Sequence, residues 1–362
     1  MPESFGIMAL VLSIFGVVSL FLSFSINMSY IYLPESDTLF SSALLLSVMN
    51  WFVLLLISSI AYIPLQSFYG SDIASFVLII SFFKLFGALS EVSLAQMEKK
   101  VDFTFSTLLT GFGGPLALGL AVLAAFLGMD IYSLLLREVL TPIFVFLLIR
   151  VYAKQRLDFK NYDVEEMKAL FNYSFKMLFS RGSELLYVKI PFIVIATYLD
   201  KNILGYLSQM YYLANLLNAA LSTFNAKVAF VFFSQFKDDK EKSKKGLLYI
   251  NMLNLFMGIP IFVIFYFFPV EILSFLWGEK WVPGAEYLQM FSLFALLLPI
   301  FNSLKAYFYG HGKNSIVTRS YIGGLLVYLM LIALWPTNIM FSLAFSLSMV
   351  VMLLFMMLKI VR

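Results

Sequence analysis

The stretch Phe171–Leu199, FNYSFKMLFSRGSELLYVKIPFIVIATYL, decides the fold and poses the functional question. As a helix, residues 175–198 rise roughly 36 Å at about 1.5 Å per residue, enough to cross a bilayer with tilt. Yet the run holds Lys176, Arg181, Glu184 and Lys189. An ionised side chain at mid-bilayer costs about 2.5–3.5 kcal/mol on insertion scales, so such groups face protein or a water-filled cavity. Lys176 lies near one end, where its stem lets the charge reach the interface. Arg181 and Glu184, three apart on one face, either neutralise each other or line a cavity. Lys189 can neither reach the interface nor pair within its own helix. The pattern points to a polar, net-positive face inside the membrane, and hence to an anionic ligand.

Composition agrees with a membrane chain. Of 362 residues, 61% are hydrophobic and 13% charged, and the mean hydropathy is +0.91. These values describe a polytopic, all-α membrane protein, because runs of 20 or more apolar residues lack the alternation of a barrel strand. The 18% aromatic content suits lipid-facing surface and interfacial belts. The absence of cysteine excludes disulfides, thiolate metal sites and a cysteine nucleophile. The single histidine, His311 in GHGKN, reads as a solvated loop residue, since no carboxylate cluster accompanies it.

About eleven transmembrane helices follow from the apolar runs: 6–26, 41–63, 73–95, 105–128, 131–152, 173–198, 203–233, 247–275, 285–309, 315–334 and 338–359. Their loops divide sharply by charge. One set holds sixteen Lys and Arg residues and the other holds only Lys201 and Lys280, so the first set is cytoplasmic. The C-terminus is then inside, and with an odd number of spans the N-terminus is outside. An N-out chain without a cleavable signal is unusual, and an internal repeat sharpens the point. FGIMALVLSIFGVVSLFLS (5–23) aligns with LGYLSQMYYLANLLNAALS (204–222), matching Gly6 to Gly205, and Ser93–Leu94 matches Ser303–Leu304 at a similar offset. The helix 173–198 has no counterpart in this alignment. The expectation is two pseudo-symmetric bundles on a twelve-helix plan that lacks the first helix. They comprise an N-terminal lobe, 1–152, a cytoplasmic linker, 153–168, and a C-terminal lobe, 169–362, with a substrate cavity between the lobes.

No enzyme constellation is present: there is no Walker-type phosphate cradle, no His-Glu zinc pattern and no serine triad. The glycine-rich GFGGPLALG (111–119) lies inside an apolar span, where close helix packing or a Pro115 hinge explains it. No cofactor is implied. The candidate functional groups are the intramembrane charges. Lys84 falls near the middle of its span, and Arg137 and Glu138 lie within two turns of the outer end of theirs. Adjacent side chains diverge by about 100°, so Arg137 and Glu138 are not expected to pair. Lys227 and Lys305 approach cytoplasmic ends and can snorkel. Gln209, Asn215, Asn218 and Asn225 serve either sugar recognition or contacts between helices.

Several pieces in order, PESFGIMALVLSIFGVVSLF, LAQMEKKVDF, LGYLSQMYYLANLL and LWGEKWVPGAEYLQMFSL, resemble the Wzx-type polysaccharide-synthesis flippases of the multidrug/oligosaccharidyl-lipid/polysaccharide exporter superfamily. The resemblance covers essentially the whole chain. It implies translocation of a lipid diphosphate-linked oligosaccharide across the cytoplasmic membrane by alternating access, with no nucleic acid among the partners. The residues agree: Arg181, Lys189, Lys84 and Arg137 can hold a diphosphate. Glu184 or Glu138 can bind a coupling proton or sodium ion, and membrane lipids surround the whole. A drug/cation antiporter of the same superfamily prefers an acidic cavity. A membrane-embedded polymerase or ligase needs a large external loop that this topology lacks. Single-cysteine labelling checks the orientation, since the native chain has no cysteine. Positions 71, 201 and 280 should react with an impermeant reagent from outside and positions 100, 156 and 242 should not; external labelling of 242 would reverse the topology.

Overall fold

The computed structural model describes residues 2–20, 26–100, 103–153, 157–216, 218–219, 229, 232–233, 236 and 239–361, and every regular element among them is helical. Lipid offers no hydrogen-bond partner, so long apolar runs satisfy their peptide groups within the segment. The helices are α1 (Pro2–Leu20), α2 (Ile26–Tyr32), α3 (Leu39–Tyr69), α4 (Ser71–Lys99), α5 (Phe103–Phe126), α6 (Asp130–Ala153) and α7 (Val164–Ile195). There follow α8 (Lys201–Ala214), α9 (Lys240–Phe267), α10 (Pro269–Trp277), a short 3-10 turn (Glu279–Gly284), α11 (Ala285–Gly310), α12 (Asn314–Leu334) and α13 (Asn338–Val361). Seven helices among the described residues are long and apolar enough to cross a membrane. At 24 and 32 residues, α6 and α7 match them in length and carry charges within their apolar runs.

Where they are described, the expected spans fall on helices, with boundaries adjusted for local reasons; most of 203–233 beyond α8 lies outside the described residues. The first run is helical as α1 up to Leu20, and its residues 21–25 lie outside the described residues. The run 247–275 breaks at Phe268, because Pro269 has no amide hydrogen to continue α9 and instead opens α10. Helix α7 begins nine residues before the expected span and takes in the end of the polar linker. Asp163 starts it by accepting from the Glu165 amide at 2.7 Å, and Glu165 and Glu166 complement the positive helix end.

Two compact units emerge from the contacts: Leu10–Leu185, and Met1–Ala9 together with Leu186–Arg362. The divisions fall inside α1 and α7. In the first unit α3 and α4 form a hairpin through Gly70, whose φ of +95° suits glycine, and α4 and α5 both pack on α6. At Gly113 an added Cβ would strike Val145, so this one glycine of the 111–119 run accounts for close α5–α6 packing. Gly111, Gly114 and Gly119 face open space. Tyr30, Leu39, Leu44, Val92 and Leu170 form a buried core. Beside it, Glu166 accepts hydrogen bonds from Ser36, from Thr38 at 2.8 Å and from Ser42 at 3.2 Å. Lys99 donates to the Tyr30 and Leu33 carbonyls at 3.0 and 2.6 Å, covering the otherwise open end of α2.

The second unit packs α8, α9 and α13 around α11. Phe345, fully buried, touches the rings of Tyr187, Phe192, Tyr211, Phe291, Phe294 and Tyr328. Tyr187 brings its hydroxyl into this core and satisfies it 2.8 Å from Ser348 Oγ. Outside the spans, Asp239 caps α9 by accepting from the Lys242 amide at 3.0 Å. That bond, aided by the Lys242 ammonium, holds its carboxyl below the ordinary value, so the cap persists until pH falls through the lowered pKa.

Gly6 and Gly205, the pair aligned by the repeat, meet where α1 crosses α8. A Cβ on Gly6 would strike the Lys201 carbonyl and the Gly205 amide; one on Gly205 would strike the Pro2 carbonyl. Backbone cannot yield as a side-chain tip can. Gly6→Ala and Gly205→Ala should therefore each destabilise the protein by about 1–3 kcal/mol, read as a lower unfolding temperature in detergent. Gly119→Ala, which enters open space in α5, should be neutral or stabilise by up to about 1 kcal/mol. Equal effects at all three positions would refute the crossing.

Candidate functional site

The charged positions of the spanning helices are built mainly on α4 and α6. Lys84 lies mid-way along α4, and its Nζ sits 3.3 Å from Glu91 Oε1, two turns further on. Seven residues on a helix return to nearly the same face, so the spacing aligns the pair. The Lys84 stem lies over Gly87: a Cβ there would be 3.4 Å from both Lys84 Cδ and Nζ, and 3.6 Å from Pro142 Cβ of α6. Glycine thus lets a long cationic side chain lie close to the helix beside its neighbour. The two side chains remain 41% and 52% exposed, a combination that suits a polar cavity better than lipid.

One turn before Pro142, Arg137 and Glu138 form an ion pair, contrary to the expectation from their adjacency. Arg137 Nη2 lies 2.5 Å, and Nε 3.1 Å, from Glu138 Oε1. The Cβ directions do diverge, but the arginine stem is long enough to wrap back and present two donors to one oxygen. The Arg137 carbonyl also accepts from Thr141 at 2.7 Å. Glu138 is the less exposed partner, at 26% against 41%.

On α7, Arg181 is exposed and Glu184 is partly buried, while a Cβ on the buried, intervening Gly182 would lie 3.6 Å from the Leu20 side chain. Lys84, Arg137, Glu138, Arg181 and Glu184 all belong to the first unit; Lys189, partly buried, belongs to the second. Glu91 was not among the sequence candidates, although its seven-residue offset from Lys84 was the signal for it. His311 does lie in the turn that follows α11, but it is partly buried rather than fully solvated. It ends α11, with Nδ1 2.8 Å from the Tyr307 carbonyl and its ring 4.2 Å from the Tyr307 ring. Of the polar candidates on the α8 run, Asn218 receives a 2.5 Å hydrogen bond from Asn302 of α11, and Asn215 donates to the Tyr211 carbonyl at 2.8 Å. The first is a contact between segments of the kind expected; Asn225 and Lys227 lie outside the described residues. No group of three or more metal-ligating side chains occurs among the described residues.

Residues 1–286 match the family model described as polysaccharide biosynthesis protein. The chain belongs to that family. It is 23% identical over 259 residues to the succinoglycan biosynthesis transport protein ExoT of Rhizobium meliloti (strain 1021), covering 70% of this chain and 51% of that one. The chain therefore spans about half the length of this curated relative. In fold it is similar to a multidrug resistance MATE family transporter of the MOP superfamily, solved in an inward-facing conformation, with a TM-score of 0.73 at 14% identity. That match covers 99% of this chain and 91% of the other. The lipid II flippase MurJ, in an inward closed conformation, aligns with a TM-score of 0.70 at 15% identity, covering 100% and 86%. The fold is thus that of MATE- and MurJ-like transporters, in a multi-pass membrane protein.

Because Lys84 and Glu91 are both about half exposed, their pair should contribute only ~0.2–1 kcal/mol to stability. Lys84→Ala and Glu91→Ala should each lower the unfolding temperature slightly, and the charge-swapped Lys84→Glu/Glu91→Lys double variant should recover it. A loss of more than about 3 kcal/mol for either single variant would instead identify a fully desolvated pair.

Proposed function

We propose that this chain translocates an isoprenoid diphosphate-linked oligosaccharide from the cytoplasmic to the outer leaflet by alternating access, for synthesis of a surface polysaccharide. The observation that carries the reading is that Lys84 and Arg137, each paired with a carboxylate yet still accessible, lie inside apolar helices of a polysaccharide biosynthesis family member. Support comes from similar proteins named as a succinoglycan biosynthesis transport protein and as a lipid II flippase. The proposed setting is the cytoplasmic membrane, with the C-terminus inside.

In this mechanism Arg181, Lys189, Lys84 and Arg137 supply the positive potential for the diphosphate. A phosphate oxygen competes for the same donors that now hold Glu91 and Glu138, and arginine can receive it in bidentate fashion. Displaced from Arg137, Glu138 becomes free to take a coupling proton or sodium ion, and Glu184 is the second carboxylate assigned to this step. The lipid tail remains in the bilayer while the glycan follows the polar faces.

The test is glycolipid translocation in proteoliposomes, measured together with folded yield. Arg181→Ala, Lys189→Ala and Arg137→Ala should each reduce the rate by roughly tenfold or more at wild-type abundance, equivalent to about 1.4 kcal/mol. Arg181→Lys should retain part of the activity, since charge survives but the planar fork does not. Normal translocation by Arg181→Ala and Lys189→Ala would sink the assignment. Efflux of cationic drugs abolished by Glu138→Gln, with no glycolipid transport, would favour an antiporter.

A further inference from the structure

A cleft of about 280 Å³ opens between α12 and α13, in the second unit. Its wall is graded. At one end stand Arg319, five residues into α12, and Lys359, in the last turn of α13. Beyond them the lining turns apolar, with Gly323 and Val327 on one side and Val351 and Phe355 on the other. The shape has a clear cause. At Gly324 a Cβ would strike the Met352 side chain, so the helices approach closely there, and the buried Ser320 donates to the Met352 carbonyl at 3.3 Å. Gly323, one residue earlier, faces open space and leaves the cleft floor without a side chain.

Charge identifies the occupant. No acidic residue follows Glu286 in the chain, so neither α12 nor α13 offers a carboxylate. Arg319 and Lys359 are exposed and have no ion-pair partner among the described residues; Lys359 Nζ lies 5.8 Å from the centre of the Phe355 ring. A cationic mouth that leads into an apolar trough complements an amphiphile with an anionic head. The volume is below the ~300–1,000 Å³ that encloses a drug-sized ligand, so it accommodates a section of one chain rather than a whole molecule. By the lysine and arginine distribution this end meets the cytoplasmic leaflet, whose anionic lipids are drawn to basic groups near the surface.

We infer that this cleft binds an anionic phospholipid, with the phosphate on Arg319 and Lys359 and one acyl chain over Gly323. The site is independent of the transport reading, because its test measures binding alone. Native mass spectrometry of the full chain with phosphatidylglycerol should retain one lipid, and phosphatidylcholine should bind at least ~tenfold more weakly. Gly323→Leu fills open space without entering the Gly324 contact, so it should fold normally and weaken phosphatidylglycerol roughly tenfold. Arg319→Gln/Lys359→Gln should do the same, whereas Arg319→Lys should retain the lipid. Inorganic phosphate should not displace it.

Unchanged binding by folded Gly323→Leu would overturn the proposal, whether or not the double variant is recovered. Equal retention of phosphatidylcholine would reduce the cleft to an apolar contact. Displacement of phosphatidylglycerol by equimolar undecaprenyl phosphate would assign the cleft to an isoprenoid lipid, and so also overturn the proposal.

Discussion

The scarcity of hydrogen-bond partners and counter-charges in hydrocarbon is the constraint on which the rest of the structure depends. It forces peptide groups into helices, and it leaves an ionised side chain costly unless another group or water receives it. The hydroxyls of α3 and α4 obey the rule at small scale: buried Ser58 and Ser81 lie 2.7 Å apart, and Ser81 also donates to the Val77 carbonyl. Lys84–Glu91 and Arg137–Glu138 obey it at larger cost and remain partly accessible. At this degree of exposure the pairs add little to stability, about 0–1 kcal/mol, so packing does not account for them. Their retention is therefore the most informative feature of the first unit.

Glycine supplies the other half of the design. In lipid, helices gain from close van der Waals contact rather than from expelling water, so small residues at crossings matter more than they do in a soluble core. Gly6 and Gly205, Gly113, and Gly324 each occupy a place where a single Cβ would meet a neighbouring helix. Gly87 works differently, making room for the Lys84 stem as well as for Pro142. Gly323 does the opposite and keeps a trough open. One residue type thus closes three packing contacts, shelters a charge and leaves a cleft.

The second unit relies on aromatic packing. Phe345 gathers rings from α7, α8, α11 and α12, in edge and tilted arrangements that favour ring pairs over face-to-face stacking. The cations of α12 and α13 lie outside this cluster, at the ends of helices without acidic residues. Arg319 and Lys359 thus stand where lipid headgroups can meet them.

The sequence alone determined the class of protein and most of its helices, because hydropathy is local and the bilayer reads it almost residue by residue. It also singled out Lys84, Arg137, Glu138, Arg181, Glu184 and Lys189, since a charge in an apolar run is conspicuous without any structure. Helical ends were less legible: the break before Pro269 and the early start of α7 depend on a single missing amide and a capping bond that hydropathy averages away. Pairing needed the tertiary structure. The 100° separation of adjacent residues argued against Arg137–Glu138, yet a flexible arginine stem closes it; Glu91 drew no notice until it stood beside Lys84. The repeat aligned Gly6 with Gly205, but only the packed helices could show that the two meet. A contact depends on the positions of both partners, and a linear pattern specifies only one partner at a time.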